Sequence, residues 1–140
     1  MGGECAFSLD PRLLADCHVL GRVGAIHVLL QRTAQLPWFL LVPETDEIEL
    51  HELPAPLRRA LDALAERIGR FVLQEFGCTK LNIAAIGNVV PQLHLHVIGR
   101  RPEDVLWPRV VWGNLPAGEL RSKAEVATLR SALRRRGCLD

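Results

Sequence analysis

Gln92-Leu93-His94-Leu95-His96-Val97-Ile98 is the stretch on which the reading of this chain turns. Polar and apolar residues alternate with period two. As a strand, this sends Gln92, His94 and His96 to one face and Leu93, Leu95 and Val97 to the other. The apolar face suits burial, so the polar face must look into water, a cleft or a ligand. Two imidazoles on neighbouring same-face positions can hold a metal, move a proton or attack phosphorus.

Working outward, Lys80 to Ala85 reads as a strand, and Gly87-Asn88 between it and the histidine strand is a hairpin signal. Upstream, Leu57, Leu61, Leu64, Ile68 and Phe71 recur at three- and four-residue steps after Pro54 and Pro56, the stripe of an amphipathic helix. Gly77 is placed to stop it. Such a helix needs a sheet or a partner to bury its stripe. Further upstream, Asp10-Pro11 is an N-cap with proline at the first helical position, starting a short helix to about Asp16. His18 to Val23 and His27 to Gln31 read as strands joined around Gly24, and Trp38 to Val42 as a buried strand closed by Pro43. Downstream, a loop from Arg100 to Pro108 leads to a predicted short strand, Arg109 to Trp112. Ser122-Lys123-Ala124-Glu125 is a capping box for a last helix over about 122–136, with Val126, Leu129 and Leu133 on one side. Strands, a long helix and more strands argue for an antiparallel α+β domain rather than a parallel doubly wound one.

The 140 residues fit one domain, 1–140, able to bury roughly two-thirds of its unfolded surface. Hydrophobic residues at 49% and charged residues at 24% exclude a disordered chain. A formal net charge of +1 gives no global field toward nucleic acid or an anionic membrane. Arg134, Arg135 and Arg136 suit a solvated helix C-terminus. The start, Met1-Gly2-Gly3-Glu4-Cys5, lacks a secretory pattern, and Trp38 to Val42 is too short to span a bilayer. Cys5, Cys17, Cys78 and Cys138 are scattered without a Cys-x-x-Cys pair, which favours free thiols and a cytoplasmic setting.

A His-x-His strand is compatible with an ordinary sheet face and with a cupin metal site. The cupin pattern wants a Glu shortly after the second histidine, where this chain has Arg100 and Arg101. A third ligand would have to come from distant His18, His27 or His51, and catalytic zinc takes three protein ligands. No metal is therefore expected. Asn82, Asn88 and Gln92 add uncharged hydrogen-bonding groups, and the Gly87-Asn88 turn can bring backbone N–H groups near an anion.

Gly87-Asn88-Val89-Val90-Pro91-Gln92-Leu93-His94-Leu95-His96-Val97-Ile98 resembles the signature of the histidine-triad (HIT) superfamily, His-φ-His-φ-His-φ-φ after a Gly-Gln turn, φ being apolar. The resemblance extends over about residues 10–115. Leu29-Leu30-Gln31-Arg32 stands where the family has a strand ending in Asn, and Trp38-Phe39-Leu40-Leu41-Val42-Pro43 where it has a strand ending in Pro. Leu50-His51-Glu52-Leu53 matches the lead-in to the central helix, and Leu106-Trp107-Pro108 is similar to a Trp-Pro pair of one branch.

That resemblance implies an antiparallel sheet of about five strands under a long helix, with two chains paired as a homodimer. It implies hydrolysis or transfer at the α-phosphate of a nucleotide, a dinucleoside polyphosphate or a nucleoside phosphoramidate, with no cofactor. His94 matches the nucleophile, which forms a nucleotidyl-histidine intermediate, and activity should fall at acid pH. His96 matches the third histidine, which contacts phosphate or assists proton traffic. Asn82 and Asn88 match polar positions on the phosphate and leaving group, and Gln31 a ribose contact. Ile26, Val28 and Leu40 are candidates to wall the base pocket. Gln92 departs from the pattern: its carbonyl can still orient the nucleophile and its amide can bond phosphate, but it cannot carry a proton at neutral pH. Trp38 stands where many members have another histidine, and Val89 replaces a small hydroxyl residue. A nucleotide-binding module without turnover is therefore the alternative. Trp107 and Trp112 read as core or dimer-contact aromatics, and Cys78 as packing.

Overall fold

The computed structural model describes residues 6–140, so the readings of the N-terminal start and of Cys5 lie outside the described residues. A short helix α1 (Pro11–Asp16) leads into β1 (Cys17–Val23), β2 (Ile26–Gln31) and β3 (Trp38–Pro43). A single 3-10 turn at Leu50–Glu52 precedes α2 (Ala55–Glu75), then β4 (Lys80–Ala85), β5 (Leu95–Arg100) and α3 (Lys123–Arg135). The described strands form one antiparallel sheet in the order β1-β2-β3-β5-β4, an α+β architecture.

Local chemistry fixes the boundaries. The Asp10 carboxylate accepts from the Arg12 N–H at 2.8 Å and Pro11 opens α1. Gly24 turns the β1–β2 hairpin at φ 54°, and Gly77 takes φ 62° just past α2, where a side chain would be strained. Ser122 and Glu125 close the capping box of α3 from both sides.

The sheet is covered on both faces. On one, Leu61, Leu64, Ile68, Phe71 and Val72 of α2, with Val126 and Leu133 of α3, bury against Ile26, Val28, Leu30, Phe39, Leu41 and Val97. Each such large side chain contributes about 1.5–3 kcal/mol by leaving water. On the other, Leu29, Trp38, Leu40, Val42 and Ile98 lie under Leu13 of α1 and Leu106 and Val111 of the loop after β5, with Phe7, Leu9, Trp112 and Leu115 at the margin. His96 shares this second face, since it pairs with Leu40 across the β3–β5 ladder.

Three expectations are corrected. The histidine strand begins at Leu95, so Gln92 and His94 precede the ladder: both neighbouring strands pair only as far as Leu95, and Pro91 has no N–H to offer. The β4–β5 connection is accordingly a loop, residues 86–94, and not a tight Gly-Asn hairpin. Arg109 to Trp112 is not a strand. Arg109 N–H donates to Leu106 O and Asn114 and Leu115 N–H to Val111 O, turns that drive Val111 into the second core against its strand propensity.

Gly99 lets β5 lie close under α2. A Cβ there would stand 2.4 Å from Val72 Cγ1, 2.6 Å from Cys78 Sγ and 2.9 Å from Pro37 Cγ. Gly99→Ala should therefore cost about 1–3 kcal/mol by overpacking, read as a lower midpoint in urea unfolding. An unchanged midpoint would show that Val72 and Cys78 can move aside. Cys17, Cys78 and Cys138 are buried free thiols, and burial pushes the Cys17 thiol up to about 12, leaving it inert. No helix of the described residues is long and apolar enough to cross a membrane.

Candidate active site

His94 sits one residue before β5, at the mouth of the 86–94 loop, and His96 is the second residue of the strand. Both side chains are almost covered, each residue 6% exposed. The rings meet edge to face, centroids 4.8 Å apart.

The hydrogen bonds assign different roles to the two imidazoles. His94 Nδ1 lies 2.7 Å from the carbonyl oxygen of Gln92. A carbonyl only accepts, so Nδ1 carries the proton and the lone pair is on Nε2. His96 Nδ1 lies 2.9 Å from the indole Nε1 of Trp38. An indole N–H only donates, so this Nδ1 holds the lone pair and, in the neutral ring, Nε2 carries the proton. Neither Nε2 has a hydrogen-bond partner among the described residues. Burial first, and the His94 charge second, push the His96 imidazole down to about 4. His96 is therefore uncharged at neutral pH. Trp112 closes the far side, edge-on to His96 at 5.4 Å and to Trp38 at 6.4 Å.

Beside His94 opens a cleft of ≈ 350 Å³, lined by Ile48, Glu49, Ile86, Asn88, Leu93 and His94, among others. His94 thus lines the cleft with its Nε2 free of any hydrogen bond to the described residues, an arrangement that leaves a lone pair available for chemistry. No third His, Cys, Asp or Glu joins the pair in a cluster able to hold a metal among the described residues.

The family model for the HIT domain matches residues 12–103. The chain belongs to the HIT family. Among solved structures, it is 40% identical to a histidine triad protein from Bradyrhizobium japonicum, covering 94% of this chain and 98% of that one with a TM-score of 0.86. A histidine triad protein from Sinorhizobium meliloti 1021 is 34% identical, with 96% and 99% covered and a TM-score of 0.88. One from Marinobacter aquaeolei VT8 is 37% identical, with 93% and 95% covered and a TM-score of 0.85. A search of the curated proteins found no match.

Set on the HIT motif, the predicted site residues divide. Asn88 and Gln92 line the cleft with His94, whereas His96 lies outside the lining, behind His94 and against Trp38 and Trp112. The Gln92 amide, expected to reach phosphate, is occupied instead: its Oε1 accepts from Asp10 N–H at 2.8 Å and its Nε2 donates to Ser8 O at 2.9 Å. Arg12 adds a bond to Val89 O at 2.7 Å, so the segment before α1 is fastened to the 86–94 loop. Asn82 lies outside the cleft lining, and its Oδ1 accepts from Arg100 Nη1 at 3.0 Å. Gln31 ends β2 opposite Cys17, also away from the cleft. Ile26 and Val28 face α2 in the first core, on the wrong side of the sheet to wall a base pocket, and Leu40 is sealed in the second core. The β-strand alternation that put Leu40 on the His96 face put these two on the other.

Arg100 is neither solvated nor free. Its side chain and that of Asp104 are each 2% exposed. Nε donates to Asp104 Oδ2 at 2.7 Å and Nη2 to Oδ1 at 3.1 Å, a bidentate pair. Leu106 and Trp107 N–H also donate to the Asp104 carboxylate, at 3.0 and 2.8 Å. Burial alone would raise this carboxyl, but the Arg100 and backbone hydrogen bonds outweigh it and hold it down to about 2. Trp112, read from the sequence as a core or dimer-contact aromatic, packs against the second core beside His96, whereas Ile48 and Glu49 were missed, because nothing local marks a residue that reaches the cleft only through the tertiary fold.

Proposed function

We propose that this protein acts at the α-phosphate of a nucleotide, as a hydrolase or transferase of dinucleoside polyphosphates or nucleoside phosphoramidates, through a covalent intermediate on His94. Membership of the HIT family supports nucleotide chemistry of this general kind. The observation that carries the finer reading is His94 Nε2, unpaired at the cleft while Nδ1–H is held by the Gln92 carbonyl. In the first step the Nε2 lone pair bonds to phosphorus and the bond to the leaving group breaks, its electron pair departing with that group. In the second, water attacks the same phosphorus, the P–N bond breaks, and the imidazole returns with the nucleoside monophosphate released. Activity should fall toward acid pH, because protonating Nε2 removes the attacking lone pair. Adenine-labelled diadenosine polyphosphate and phosphoramidate substrates, quenched within one turnover, should leave an acid-labile nucleotide on His94. Turnover without any adduct would count against the covalent route.

A binding module without turnover is favoured by one observation, the occupied Gln92 amide. It predicts nucleoside monophosphate binding with neither adduct nor hydrolysis. We also propose a homodimer. β4 is an edge strand with Ile83 48% exposed, and a groove of ≈ 990 Å³ runs between it and α2, where Arg58 and Arg59 stand near Asp62 and Glu66. Both charge signs on one face suit pairing with a second copy of this chain. Sedimentation equilibrium reading one chain per particle at micromolar concentration would remove this proposal.

A further inference from the structure

Nucleotidyl transfer at His94 raises the question of what protonates the leaving group. We infer that Trp38 is a positioning residue that locks His96 as a neutral Nε2–H donor, leaving the site without a general acid and biased toward leaving groups that depart as anions. The inference rests on the nucleotidyl-transfer reading and deepens it.

The lock is geometric. The Trp38 indole has a donor and no acceptor, and its bond to His96 Nδ1 is buried. Adding a proton to that ring means breaking the bond and placing a second N–H against an indole N–H. The surroundings offer no compensation. From β5 the ring meets His94, and Arg100 lies further along the same face, already paired with Asp104. From β3 it meets Trp38 and Leu40, from β4 its partner is Ala84, and from the 106–115 loop it meets Trp112. No carboxylate among the described residues stands beside it to hold a cation, and both burial and His94 disfavour one. The proton on Nε2 of a neutral imidazole is too weakly acidic to be given away, so His96, packed against His94, cannot deliver a proton to a leaving group.

The other candidates fail for stated reasons. Gln92 does not titrate, and its amide is fastened to Ser8 and Asp10. Val89 has no hydroxyl and points outward, 73% exposed. Glu49, the other titratable side chain lining the cleft among the described residues, is exposed to water at the rim and hydrogen-bonds neither histidine, so nothing holds a proton on it at neutral pH.

Chemistry then separates the two substrate classes. When His94 attacks a phosphoanhydride, the bridging P–O bond breaks and the electron pair leaves on a phosphate oxygen, which is stable as an anion. When it attacks a phosphoramidate, the P–N bond breaks and the nitrogen must take up a proton to leave as an amine. A missing general acid therefore slows the second reaction more than the first, by about 10²–10⁴-fold where such an acid normally acts.

The test uses the full chain labelled with ¹⁵N. A through-hydrogen-bond coupling should join Trp38 Nε1 to His96 Nδ1, and the His96 ring should stay neutral down to about pH 5. Diadenosine tetraphosphate should be turned over with kcat/KM at least about 100-fold above adenosine 5′-phosphoramidate. Trp38→Phe keeps an aromatic ring but frees Nδ1, so His96 should titrate at higher pH and the substrate ratio should narrow at least about tenfold. Should the variant fail to fold, the coupling and the substrate ratio of the native chain decide. An absent coupling, a His96 that titrates like a free imidazole, or a phosphoramidate hydrolysed as fast as the anhydride would each overturn the inference. A coupling with no turnover of either substrate would remove the nucleotidyl-transfer reading and leave the Trp38 lock standing.

Discussion

His94→Ala should lower turnover of any nucleotide substrate by on the order of 10³-fold or more, because on the proposed mechanism it deletes the atom that bonds to phosphorus rather than a group that assists it. The fold should survive. His94 precedes β5, so the ladder is untouched, and losing the bond to the Gln92 carbonyl together with the packing against His96 should cost about 1–3 kcal/mol, short of unfolding the chain. Circular dichroism and thermal unfolding of the variant should therefore stay close to the native protein while the nucleotide adduct disappears. His96→Ala should behave differently. It removes the ring that packs against His94, a smaller catalytic loss, and strands the buried Trp38 N–H. A His94→Ala protein that keeps more than a tenth of its turnover would place the nucleophile elsewhere.

The largest effect on stability is expected at Arg100. Arg100→Met should cost about 3–5 kcal/mol, because it leaves the Asp104 carboxylate charged, buried and without its bidentate partner. It also strips the donor from Asn82 Oδ1. For a chain of this size the loss should lower the unfolding temperature by about 10 °C or more. The double variant Arg100→Met/Asp104→Asn should recover part of the loss, since removing both charges ends the unpaired state. Additive losses in a double-mutant cycle would deny the coupling. The pH dependence has a definite sign. Asp104 has its carboxyl depressed from 3.8 to about 2, so its contribution is present in full above about pH 4 and drains away as pH falls through 2. Acid unfolding monitored between pH 4 and pH 2 should show a step that Asp104→Asn lacks. Because Asp104 also anchors the Leu106 and Trp107 N–H groups, the same loss should loosen the turn that brings Trp112 against His96.

Most of the scaffold was legible where the chemistry is local. The leucine stripe of α2, the Gly77 stop, the Asp10-Pro11 start and the Ser122–Glu125 box each depend on residues within a few positions of one another. The order of chemistry on β5 was legible for the same reason, since alternation alone puts His96 on the face away from α2. What failed involved long-range competition. Val110, Val111 and Trp112 favour a strand by propensity, yet the turns around them place Val111 in the second core, over a face of the sheet instead of in its ladder. Asn82 and Arg100 look like free polar groups beside a phosphate site until the fold lays them against each other and Asp104. Gln92 carried the right backbone bond in the sequence reading, while its side chain went to Ser8 and Asp10, more than 80 positions away.

That fastening makes position 92 a clasp between the chain's opening segment and the loop that holds His94, using both ends of a planar amide. The two ring nitrogens of an imidazole point in other directions than an amide's oxygen and nitrogen, so a histidine there would not hold the Asp10 N–H and the Ser8 carbonyl together. Gln92→His would therefore bring in a titratable ring and undo the clasp in the same change, because one side chain at this position cannot serve both.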